Sequence, residues 1–141
     1  MEPYQHAPCT MIKVAIVEDD AGIRESLVIV INGSDGFQCV GAYPNAEAAL
    51  KQMPANWPDV VLMDINLPNM SGIECVARLK EKRPELQIIM LTICADDEQV
   101  FDSLTKGASG YLIKKTAPAK ILEAIAEVQN GGVPMLSLIH I

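Results

Sequence analysis

The chain of 141 residues has no apolar run near the roughly 18 residues that a membrane-spanning helix needs. Its first ten residues, Met1 to Thr10, carry neither the basic start nor the apolar stretch of a signal peptide. Together these absences lead us to expect a cytoplasmic protein with no membrane partner. Cysteine is sparse and scattered: Cys9, Cys39, Cys75 and Cys94 form no CxxC pair, and no histidine stands at metal-ligand spacing, so neither a zinc site nor a redox motif is expected. Buried thiols are the plain reading, with Cys9 exposed in a polar leader. Basic residues are also short, 11 against 18 acidic, for a net charge of -7, which opposes attraction to phosphate backbones. Direct binding of nucleic acid by this chain is not expected. No repeat or low-complexity segment interrupts it.

What is present suits one folded domain. Half of the residues are hydrophobic and 21% are charged, the balance of a globular protein with a sizeable core. Residues 1–11 read as a loose leader. Beyond them short apolar runs alternate with helical stretches, the pattern of βα units that build a parallel sheet. The strand candidates are Lys13 to Val17, Phe37 to Tyr43, Asp59 to Met63, Gln87 to Leu91 and Gly110 to Ile113. Most should be buried on both faces. The first helix, Ala21 to Ile31, should turn Ile23, Leu27, Val30 and Ile31 inward. Asn45 should cap a second that Pro54 ends, and Ser71 a third carrying Ile73, Val76 and Leu79 inward. A fourth opens with Asp96, Asp97 and Glu98 and closes with Lys106 before Gly107. The fifth runs from about Ala117 to Asn130, with Pro118 in its first turn, an apolar stripe of Ile121, Leu122, Ile125 and Val128, and Gly131 and Gly132 as stop signals.

In open parallel sheets the carboxyl ends of the strands collect the chemistry. Here the first strand is followed by Glu18, Asp19 and Asp20, the third by Asp64, the fourth by Thr92 and the fifth by Lys114. Acidic groups converging at one edge raise the cost of ionising each other unless a cation joins them. Mg2+ accepts one or two carboxylates plus water and phosphate oxygens, and Glu18, Asp19 and Asp64 offer such a partial shell. A carboxylate can act as a nucleophile toward phosphorus, so Asp64 could become an aspartyl phosphate while Lys114 and Thr92 hold phosphoryl oxygens.

Four motifs carry a family resemblance: Val17-Glu18-Asp19-Asp20; the run from Val61 through Asp64-Ile65-Asn66-Leu67-Pro68 to Ser71-Gly72; Leu91-Thr92; and Gly107-Ala108-Ser109-Gly110-Tyr111-Leu112-Ile113-Lys114-Lys115. Over residues 12–132 the chain resembles the receiver domains of two-component response regulators. The resemblance implies a flavodoxin-like α/β fold, a doubly wound five-stranded parallel sheet in the order 2-1-3-4-5 with five helices on both faces. It implies that Asp64 accepts a phosphoryl group from a sensor histidine kinase. It further implies that Mg2+ is held by Glu18, Asp19, Asp64 and the backbone carbonyl of Asn66, that Lys114 and Thr92 assist, and that Thr92 and Tyr111 act as the switch pair. Tyr111 would turn inward as Thr92 moves, altering the face of the fourth helix, fifth strand and fifth helix, with homodimerisation on phosphorylation. Such a module catalyses only its own phosphorylation and dephosphorylation. Asp20, one place beyond the acidic pair, is expected to cap a helix.

The last third is similar to the NarL/LuxR-type regulators, which continue into a helix-turn-helix domain. Residues 133–141 are too short for one, so a truncated regulator or a stand-alone receiver is expected, with DNA reached only through an output domain in transcription regulation. Two positions depart from the family pattern. Lys115 stands where proline commonly follows the lysine, leaving open whether the Lys114–Lys115 peptide is cis. Ile93, after Thr92, is bulkier than usual and would narrow access for a phosphodonor. A haloacid-dehalogenase-like phosphohydrolase would need an acid at Asn66, and a flavodoxin-type flavin site would be repelled by Glu18, Asp19 and Asp20.

Overall fold

The computed structural model describes residues 11–93 and 97–130, except for the side chain of Asp97. Its strands are the apolar runs of the sequence: β1 Ile12–Val17, β2 Phe37–Tyr43, β3 Val60–Asp64, β4 Gln87–Thr92 and β5 Gly110–Ile113. The helices α1 Ala21–Asn32, α2 Ala46–Gln52, α3 Gly72–Lys82, α4 Asp97–Thr105 and α5 Pro118–Gln129 alternate with them. All strands pair in parallel in the order β2-β1-β3-β4-β5, the doubly wound 2-1-3-4-5 arrangement. Because side chains alternate across a strand, β1 serves two cores at once. Ala15 and Val17 face one with α2, α3 and α4, whereas Val14 and Ile16 face the other with α1 and α5. All five residues of β3 are buried, as a central strand covered on both faces requires.

Helix starts follow their capping residues. Asp20 Oδ1 accepts from Ile23 N at 3.0 Å, Asn45 Oδ1 from Ala48 N at 2.8 Å and Ser71 Oγ from Glu74 N at 3.2 Å. Each cap of this kind contributes about 1 kcal/mol. Register then positions the chemistry: Val17 lies opposite Met63, Asp64 opposite Leu91, and Thr92 opposite Ile113. The residues that follow β1 and β5 therefore converge with the last residues of β3 and β4 at one edge of the sheet.

Several local expectations shift. In α1 only Leu27 and Ile31 are buried; Val30 is half-buried, and Ile23 is 37% exposed in the first turn, where neither core cluster reaches it. Pro54 does not end the second helical segment abruptly, because Met53–Ala55 continue as a 3-10 turn that keeps Met53 buried. The third strand begins at Val60 and includes Asp64 as its final residue. No peptide bond among the described residues is cis, so Lys114–Lys115 is trans. Cys75 is buried, and burial pushes its thiol up to about 12, which leaves it inert; Cys39 is half-buried. Cys9, Cys94, the leader before Met11, the helix opening at Asp96, the Gly131 and Gly132 stop and the tail from 133 lie outside the described residues.

Candidate functional site

The site is built on strand ends, where a short loop leaves the sheet and side chains need not enter the core. Asp64 closes β3 and is 1% exposed. Its Oδ1 accepts from Asn66 N at 3.0 Å and its Oδ2 lies 3.1 Å from Lys114 Nζ. Glu18, one residue past β1, is fully buried. Its Oε2 accepts from Asp20 N at 3.1 Å and its Oε1 lies 3.0 Å from the same ammonium. Lys114 thus bridges two carboxylates from different strands. The backbone fixes its approach, since Lys114 N donates to Thr92 O at 2.7 Å and Ile65 N donates to Leu91 O at 3.1 Å.

Electrostatics make this a strained set of charges. Burial pushes the Glu18 carboxyl above its ordinary value, and the charge of Asp64 adds to that, while Lys114 and the Asp20 amide pull against it. Burial works to lower Lys114, but its hydrogen bonds to Glu18 and Asp64, and their charges, win and leave it raised. Lys114 is therefore held firmly as the ammonium. Lys114 pairs with two acids of a group of three: a carboxylate oxygen from each of Glu18, Asp19 and Asp64 lies within 4.8 Å of the others. Asp19 is exposed, so this group opens to solvent on one side. An all-oxygen, net negative, partly open set suits a hard divalent ion such as Mg2+ and not a thiolate- or imidazole-loving one.

Asp20 caps α1 at Ile23 and stands outside the group formed by Glu18, Asp19 and Asp64. Thr92 is 3% exposed at the end of β4, level with the site. Asn66 is exposed and next but one to Asp64. Tyr111 is 5% exposed and packs inward among the core that includes Met90, Val100 and Ala108. Ile93, beside Thr92, is 66% exposed.

Two contributors escaped the sequence reading. Gly72 begins α3 where the β3–α3 loop folds back on the site; its N donates to Ile65 O at 3.0 Å, and a Cβ there would collide with the Asp64 carbonyl oxygen. Only the bare Ser-Gly at the helix start hinted at this. Arg24 donates through Nη1 to Glu18 O at 2.8 Å and, more weakly, to Asp19 O at 3.5 Å. The available signal was a cation in the first turn of a helix, where the dipole disfavours it.

Comparison with known proteins gives a consistent picture. Residues 14–126 match the response regulator receiver domain. The chain is 33% identical over 121 residues to the response regulator GacA of Pseudomonas syringae pv. syringae, covering 86% of this chain and 56% of that protein. It is equally 33% identical over 123 residues to the transcriptional regulatory protein YdfI of Bacillus subtilis, covering 87% and 57%. This chain spans little more than half the length of these relatives. Its fold overlays the signal receiver domain of the NarL regulator of Mycobacterium tuberculosis with a TM-score of 0.81 at 26% identity, covering 85% of this chain and 97% of that one. No helix among the described residues is long and apolar enough to cross a membrane.

Proposed function

We propose, for a chain that belongs to the response regulator receiver domain family, that Asp64 takes a phosphoryl group from a phosphohistidine of a sensor kinase. In that step an Asp64 carboxylate oxygen bonds to phosphorus as the P–N bond breaks, and the departing imidazole nitrogen keeps the electron pair and takes up a proton. The observation that carries this reading is the Lys114 ammonium, held 3.1 Å from Asp64 and 3.0 Å from Glu18 at the open edge of the sheet. It is positioned to meet the negative charge that a phosphoryl group brings, and phosphoryl transfer depends mainly on such positioning and charge stabilisation. Glu18, Asp19, Asp64 and the Asn66 carbonyl would hold Mg2+, which supplies neutralisation of phosphoryl oxygens when bound. Thr92 would give its hydroxyl to one of those oxygens.

The same reading makes the module a switch and not a turnover enzyme. Phosphorylation replaces the single carboxylate charge of Asp64 by the roughly two negative charges of a phosphoryl group, a net gain of about one at a site already crowded with acids. Lys114 and Thr92 are then drawn to the new group, and the β5–α5 connection follows. Tyr111 already packs inward in this structure, so its part is to hold that position against a moved Thr92. The surface of α4, β5 and α5 would report the change; it carries Phe101 at 69% and Leu104 at 39% exposure, suited to homodimerisation or contact with an output domain. Control of transcription, which the name of YdfI states for that protein, belongs to the same proposal, as do a DNA-binding output domain that carries it out and a cytoplasmic location. So does the assignment of residues 12–132 to the receiver and 133–141 to a linker or foreign tail.

The test is incubation with Mg2+ and acetyl phosphate, read by intact mass. One added phosphoryl group is expected, and none in Asp64→Ala. No labelling of the unsubstituted protein, either from acetyl phosphate or from an active cognate kinase, refutes the proposal.

A further inference from the structure

We infer that Arg24 is a positioning residue for the metal-binding pair, orienting the Asp19 carboxylate by gripping the backbone that carries it. The inference rests on the proposed function and extends it to a residue outside the ligand set. Between the end of β1 and the start of α1 stand only Glu18, Asp19 and Asp20. Glu18 is fastened as a whole: its N donates to Tyr43 O at 3.0 Å, its Oε2 accepts from Asp20 N, and its Oε1 faces Lys114. Asp20 is fastened by its cap and by Arg24 N, which donates to Asp20 O at 2.9 Å. Asp19 differs. Among the described residues its side chain accepts no hydrogen bond and makes no ion pair, so the backbone that carries it is the part of Asp19 that the fold holds.

That backbone is what Arg24 holds. One guanidinium nitrogen reaches the carbonyl of Glu18 at 2.8 Å and that of Asp19 at 3.5 Å. With the two carbonyls turned toward α1, the Asp19 carboxylate is left within 4.8 Å of those of Glu18 and Asp64. Arg24 makes no ion pair among the described residues. Its charge is directed at backbone oxygens instead. Pre-orientation of a ligand by an outer partner commonly changes metal affinity by about 10- to 100-fold.

The sign of the effect separates this role from simple electrostatics. A cation beside an acidic cluster repels Mg2+, so removing the charge of Arg24 would by Coulomb's law alone tighten Mg2+ binding. Loss of positioning does the reverse. Mg2+ should be titrated calorimetrically into the unsubstituted protein, Arg24→Met, Arg24→Lys, Asp19→Asn and the Asp19→Asn/Arg24→Met double variant. We expect Arg24→Met to weaken Mg2+ binding about 10-fold, with Arg24→Lys recovering part of the loss through a single donor to the Glu18 carbonyl. In the Asp19→Asn background the same change should cost less than about twofold, because coupled residues are not additive. Phosphorylation of Arg24→Met by acetyl phosphate should return to within about threefold of the unsubstituted rate once Mg2+ is raised to saturate the weakened site. Unchanged or tighter Mg2+ binding overturns the inference. So does an equal loss with and without Asp19, which would make Arg24 a general clip for the loop that lowers the melting temperature and nothing more. If the unsubstituted protein itself binds no Mg2+ at millimolar concentration, the functional reading fails first, and that outcome is distinct from either result on Arg24.

Discussion

Replacing Lys114 by Met should destabilise the metal-free protein and leave the Mg2+-saturated protein nearly untouched. The ammonium lies 3.0 Å from Glu18 and 3.1 Å from Asp64, and those side chains are 0% and 2% exposed. At an effective dielectric of about 20, each contact is worth about 5 kcal/mol before desolvation is subtracted. Removing one partner of a buried pair costs about 3–5 kcal/mol net, because the remaining charge is stranded. The lower end applies here, since Lys114 is itself 16% exposed and Glu18, already pushed up by burial, can take a proton to limit the damage. A loss of about 3 kcal/mol corresponds to about 10 °C in melting temperature for a domain of this size. Mg2+ would supply the missing positive charge, so the loss should fall below about 1 kcal/mol at saturation, and the stabilisation by Mg2+ should be larger in the variant than in the unsubstituted protein. Urea unfolding followed by the fluorescence of Trp57, the sole tryptophan, measures all four states. An equal loss with and without Mg2+ would refute the view that lysine and metal neutralise the same carboxylates.

Further outcomes test neighbouring parts of the argument. The raised Glu18 carboxyl means that its protonated form is favoured by folding: the associated stability is complete below the ordinary value of 4.5 and is lost as pH rises through the raised folded value. Metal-free Glu18→Gln should therefore be more stable than the unsubstituted protein at pH 7, with the gap closing toward pH 4.5, and a gap independent of pH in denaturant titrations would count against burial as the cause. Gly72→Ala should lose about 1–3 kcal/mol by overpacking against the Asp64 carbonyl, despite the usual helix gain from alanine; thermal melting and phosphoryl labelling should both fall, and normal labelling would show that the backbone yields. Ile93→Ala should speed labelling by acetyl phosphate severalfold if the exposed side chain screens the approach to Asp64, with unchanged rates removing Ile93 from the account.

Local chemistry is legible in the sequence because a strand end is a local event. The apolar runs specify β1, β3 and β4 through their burial on both faces, and the residue types that follow them, Glu18-Asp19, Asp64, Thr92 and Lys114, can be read without knowing where they meet. Capping is equally local, so Asp20, Asn45 and Ser71 announce α1, α2 and α3. The exposure of Ile23 could not be read this way, since periodicity says which side of a helix is apolar and not how far the sheet extends beneath it. The same limit hid Gly72, whose importance lies in an approach to Asp64 across a loop. It hid Arg24 as well, whose partners are backbone oxygens that every residue possesses and no motif can mark.

Sequence alone thus determined the chemical inventory at the strand ends: the carboxylates of Glu18, Asp19 and Asp64, the lysine Lys114 and the hydroxyl of Thr92, each just past or at the end of an apolar run. Tertiary structure decided their relations. Only the parallel register brings Lys114 between Glu18 and Asp64, only burial and the neighbouring Asp64 charge raise the cost of the Glu18 charge, and only the turn after β1 groups Asp19 and not Asp20 with those two acids. The physical reason is that identity is carried by covalent chemistry, whereas distance, desolvation and orientation arise when segments far apart in the chain are held against one another.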